Sequence, residues 1–117
     1  MKSLKATSDV LSVPTNKTDR WYAWNNMMPP GPPTFHIIGD VEVPNPGVDA
    51  YLCERVPPGF NPAIILLDLV LIQRPGLWPQ MVVHRFVHFE KSGIRYDQAE
   101  VFSGGTLIAK VPVEDIS

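Results

Sequence analysis

Thirteen prolines spread through 117 residues decide most of what this chain can become. They stand at 14, 29, 30, 32, 33, 44, 46, 57, 58, 62, 75, 79 and 112. Inside a helix each would remove a hydrogen bond and clash with the preceding turn, at about 3 kcal/mol apiece. The long proline-free stretch, Gln80 to Val111, repeats its apolar residues with a period of two rather than 3.6. A helical bundle is therefore excluded. What remains is a set of short apolar segments bounded by Pro, Gly and Asn, which reads as strands joined by turns.

Thr34 to Val43 alternates cleanly, with Phe35, Ile37, Val41 and Val43 on one side. Pro44-Asn45-Pro46-Gly47 is a turn, and Val48 to Val56 follows. Setting Val43 opposite Val48 predicts a hairpin in which Val41 faces Ala50, Cys53 faces Ile38 and Glu42 faces Asp49. Cys53 then reads as a small packed residue. Ala63 to Gln73 is apolar on both faces, as in a central strand covered on two sides. Gln80 to Glu90 returns from a proline-rich loop. Tyr96 to Ser103 and Thr106 to Val113 flank Gly104-Gly105, a favoured two-residue hairpin signal. About six strands without a helix predict an all-β antiparallel sandwich, Ig-like or transthyretin-like in shape, with a small β-barrel as the alternative.

Residues 1–33 differ from the rest. They carry four basic and two acidic side chains, whereas residues 34–117 carry six and ten, giving +2 against −4. Residues 1–18 read as a mobile arm. Residues 19–33, with Trp21, Tyr22, Trp24, Met27 and Met28 before a run of prolines, have neither strand nor helix periodicity. They read as an irregular segment laid over a single domain at 34–117. The net charge of −2 and the absence of any Lys/Arg cluster argue against nucleic acid as a partner. No apolar run approaches the length of a membrane span and no signal-peptide pattern is visible, so the expectation is a cytoplasmic, soluble protein with no membrane partner.

Asp68 interrupts an apolar strand, and Arg85 sits among Met81, Val83, Val87 and Phe89. Setting Gln73 opposite Gln80 places Asp68 opposite Arg85 in an otherwise apolar hairpin face. A lone buried charge is too costly to keep, so the two are expected to form an ion pair, in the core or at the base of a barrel cavity.

His84, His88 and Glu90 share the other face of that strand. His84 and His88 are about 13 Å apart along it and cannot share one ion. His88 and Glu90 could chelate, but they need a third ligand, for which His36 or a distant carboxylate are the choices. No metal and no cofactor are therefore expected. No catalytic residue is assigned, because nucleophile-elbow, phosphate-loop and dinucleotide-binding patterns are all absent. Trp21, Tyr22, Trp24 and Trp78 are the recognition candidates, since Trp and Tyr join large apolar area to a polar handle. The sequence thus points to a non-enzymatic binding or assembly module that meets a protein partner or a second copy of itself. The alternative is a small-molecule carrier or enzyme built around Asp68 and Arg85.

Overall fold

The computed structural model describes residues 11–12, 17–56 and 59–117. Seven long strands and one two-residue strand form a single sheet that curls into a nearly closed barrel, with no helix among the described residues. In chain order they are β1 (Leu11–Ser12), β2 (Thr18–Asn26), β3 (Thr34–Val43), β4 (Val48–Glu54), β5 (Ile64–Gln73), β6 (Val83–Ser92), β7 (Gln98–Ser103) and β8 (Thr106–Ile116). Around the barrel the order is β4-β5-β7-β8-β2-β3-β6, with β1 beside the end of β5. The all-β expectation holds, and the barrel alternative is the closer description.

Two departures from the expected pairing shape everything else. First, the strands on either side of Pro44–Gly47 do not form a hairpin: β3 pairs with β2 and β6, and β4 pairs with β5. Second, β5 pairs with β4 and β7, not with β6. The sheet is also mixed rather than antiparallel, because β2–β8 and β5–β7 run parallel. The cause lies in the connectors. Proline cannot take the positive φ that tight hairpin turns demand, and it gives no N–H to a ladder. Pro44-Asn45-Pro46-Gly47 and the loop with Pro75 and Pro79 therefore carry the chain across the barrel end instead of folding it back. Where the connector is Gly104-Gly105, both at positive φ (57° and 83°), the hairpin does form, with Ser103 opposite Thr106.

The inner faces supply one core, led by Phe35, Ile37, Ile65, Leu67, Leu71 and Val101. Trp78 closes one end. Its ring occupies the place a side chain at Gly47 would take, its Nε1 donates to the Arg74 carbonyl at 2.9 Å, and the Arg74 guanidinium lies over it at 4.8 Å. At the other end the side chain of Asn25, wholly buried, donates to the Tyr96 carbonyl at 2.8 Å and accepts from the Tyr96 N–H at 3.2 Å.

No backbone ladder joins β4 to β6 among the described residues, so side chains close this seam. The Arg85 guanidinium donates from Nε to the Val48 carbonyl at 3.1 Å and from Nη2 to the Pro46 carbonyl at 2.7 Å. Farther along, Lys91 Nζ meets Glu54 at 2.9 and 3.0 Å. Unpaired strand edges invite pairing with other chains, and this seam is covered by charged side chains instead.

The segment read as irregular, residues 19–33, contains most of β2, hydrogen-bonded between β8 and β3. A bulge hides its periodicity: the register shifts between Asp19 and Tyr22, and Arg20 takes a φ of 57°. The bulge turns Trp21 inward, onto Gly39, where even a methyl group would overlap its ring. The arm assigned to residues 1–18 falls largely outside the described residues.

Candidate functional site

The outer face of β2, β3 and β6 is the candidate site. On β3 the inward set Phe35, Ile37 and Val41 leaves Thr34, His36, Ile38, Asp40 and Glu42 outside. On β6 the outward set is His84, Phe86, His88 and Glu90, and on β2 beyond the bulge it is Tyr22 and Trp24. The registers align these into rows. Trp24 lies opposite His36, which lies opposite Glu90; Tyr22 lies opposite Ile38, which lies opposite His88; Asp40 lies opposite Phe86.

Rings stack across this face. Tyr22 and Trp24 have centroids 5.2 Å apart, Trp24 and His36 4.9 Å apart at 9° between planes, and His36 and His88 6.1 Å apart at 24°. Tyr22 donates its hydroxyl to Glu114 Oε1 at 3.2 Å. Partial burial, and then that carboxylate, push its pKa above the ordinary tyrosine value. Beside the rings lie Ile38, 38% exposed, and Phe86, 75% exposed. One end of the face holds the pair His84 Nδ1 to Asp40 Oδ1 at 3.0 Å. The other holds His36, His88 and Glu90, with one donor atom from each lying within 4.8 Å of the others.

That last cluster is where sequence reasoning fell short. The spacing argument along one strand correctly separates His84, which faces Asp40, from His88. It does not foresee that the antiparallel pairing of β3 with β6 sets His36 directly opposite Glu90 and diagonal to His88. The expectation of no metal thus loses its basis. Of the recognition candidates, Tyr22 is on the surface and Trp24 half-buried within this face. Trp21 packs against the core, and half-buried Trp78 serves the barrel end.

The Asp68–Arg85 ion pair is not formed. Asp68 lies on the outer side of β5, between Cys53 and Phe102, and pairs with Arg55 at 2.6 Å. The Arg55 guanidinium also lies 4.1 Å over the Phe102 ring, and the Asp68 hydrogen bond raises its already high pKa. Arg85 points inward to the seam carbonyls, so the two side chains occupy opposite faces of the sheet. The β5–β6 register behind the pairing does not exist. Cys53, expected to pack against Ile38, is exposed on β4.

A cavity of about 360 Å³ opens at the Asn25 end, between Glu54, Phe60, Ile64, Leu66, Lys91 and Tyr96. Neither Asp68 nor Arg85 lines it. Its polar groups satisfy one another: Lys91 binds Glu54 and also lies 3.2 Å from the Tyr96 hydroxyl. Glu54 first, and Tyr96 second, raise the Lys91 pKa. The site read as a pocket ion pair is therefore replaced by a different, already paired set of residues.

Compared with protein-family profiles, curated proteins and solved structures, the chain matches none. Among the described residues, no helix is long and apolar enough to cross a membrane.

Proposed function

We propose that this chain is a non-enzymatic binding and assembly module, and that the outer face of β2, β3 and β6 packs against a second copy of itself. The observation that carries the reading is Phe86. A phenyl ring 75% exposed in the middle of a regular strand, with exposed Ile38 on its cross-strand diagonal and Tyr22 opposite Ile38, leaves an apolar centre in water. A two-fold contact needs a single patch that complements itself. This one has its exposed apolar residues in the two middle rows, Ile38 with His88 and Asp40 with Phe86, and an acid and a histidine in each row beyond: Glu42 with His84 at one end, His36 with Glu90 at the other. A copy turned about the centre sets acid against histidine at each end. The aromatic residues Tyr22 and Trp24 belong to the types that dominate association energies.

Sedimentation velocity of the wild-type chain and of Phe86→Asp tests this reading. The wild-type chain is expected to gain mass with concentration, and Phe86→Asp to remain a monomer. Unchanged association in the variant would move the contact elsewhere.

A further inference from the structure

We propose that His36, His88 and Glu90 form a binding site for a divalent transition metal ion of the zinc class. The inference goes beyond self-association and does not depend on it. Two observations support it. The first is convergence: two imidazoles and a carboxylate, from two neighbouring strands, bring ligand atoms within 4.8 Å of one another. Tetrahedral zinc holds such donors at about 2.0–2.2 Å from the metal, hence about 3.3 Å from each other. Small rotations of the Glu90 and His88 side chains, both exposed, close that difference. The strands themselves need not move, because His36 and Glu90 are already direct cross-strand partners.

The second observation is that these polar atoms are otherwise unused. Among the described residues, every other side-chain carboxylate has a partner: Asp40 has His84, Glu54 has Lys91, Asp68 has Arg55, Asp115 has Arg95, and the rest are likewise engaged. Glu90 alone has neither a hydrogen bond nor an ion pair there, and neither imidazole of the cluster has one. Trp24, stacked 4.9 Å from His36 and nearly parallel to it, fixes that ring's plane. Imidazole and carboxylate donors suit zinc, copper and nickel, and their mixed set disfavours magnesium and calcium, which prefer oxygen alone. Three protein ligands leave a fourth position for water or for a donor from an incoming molecule.

The test is calorimetric titration of the metal-free full chain with zinc chloride, in a buffer that does not chelate zinc. It is run beside the visible spectrum of the cobalt-loaded protein. One ion per chain is expected, with the absorption bands of a four-coordinate nitrogen and oxygen site. His36→Ala, His88→Ala and Glu90→Gln should each weaken binding by about tenfold or more. Cys53→Ser should leave it unchanged. Far-ultraviolet circular dichroism checks that each variant is folded, and Glu90→Gln, the smallest change, secures the result if an alanine variant is not. No binding of zinc, cobalt, nickel or copper overturns the proposal. So does binding that survives the combined loss of His36 and His88, or that depends on Cys53.

Discussion

Replacing Asn25 with alanine should be among the most damaging single changes in this chain. Asn25 is fully buried, and its amide bridges three partners: the Tyr96 carbonyl at 2.8 Å, the Tyr96 N–H at 3.2 Å and Asp115 Oδ1 at 2.9 Å. Tyr96, 5% exposed, lies between β6 and β7, where no ladder bond replaces the lost ones. The variant thus leaves one backbone donor and one backbone acceptor unsatisfied in the interior. Each such group costs about 1–3 kcal/mol, so the two together cost about 2–6 kcal/mol. That is a large share of the roughly 5–15 kcal/mol that holds a domain together. Urea unfolding followed by tryptophan fluorescence measures the difference. Asn25→Asp keeps the shape and the acceptor but loses the donor to Tyr96, and it sets a second carboxylate beside Asp115. It should be unstable at neutral pH and recover in part as acid protonates the new group. A loss below about 1 kcal/mol for Asn25→Ala would show that water replaces the bridge, and the reasoning would fail.

Three further outcomes follow from the same contacts. Arg85→Met should destabilise the chain by about 1–3 kcal/mol in urea unfolding, because it leaves the Val48 carbonyl of the seam without its charged donor, while the Pro46 carbonyl keeps the one from Arg74; a negligible loss would mean that the seam closes without it. In double-mutant cycles, Asp68 should couple to Arg55 by about 0.2–1 kcal/mol, as partly exposed pairs do, and to Arg85 not at all; a measurable Asp68–Arg85 coupling would contradict the two-face placement. Asp115 is held below its ordinary pKa chiefly by Arg95 and also by Asn25, so its stabilising effect is present above the carboxylate range and is lost as pH falls through it. Asp115→Asn should flatten the acid side of the stability profile, and an unchanged acid limb would rule this carboxylate out as a contributor.

The strands were far more legible in the sequence than their neighbours. Thr34–Val43 is bounded by the structure as its alternation predicts, and β4, β5, β7 and β8 begin within two residues of their expected starts. Local period is a property of one strand in contact with one core, so one segment suffices to show it. Pairing is a property of two segments and the connector between them. Here the proline connectors favour crossing over folding back, and both hairpins inferred across them fail, whereas the one across Gly104-Gly105 stands. β2 escaped notice because the bulge at Arg20 shifts its alternation by one residue, which moves Trp21 to the core and Tyr22 to the surface. The site was half legible. His88, Glu90, Tyr22 and Trp24 stand out by residue type, but their union on one face depends on β3 lying between β2 and β6. No local spacing encodes that arrangement.

Self-association through the β2–β3–β6 face is tested most directly by the mass of the chain in solution as concentration rises, read by sedimentation velocity for the wild type and for Phe86→Asp. The wild type is expected to show a monomer–dimer equilibrium, lost in the variant while its circular dichroism is unchanged. A wild-type chain that remains monomeric at every concentration, or a variant that associates as readily, would contradict it.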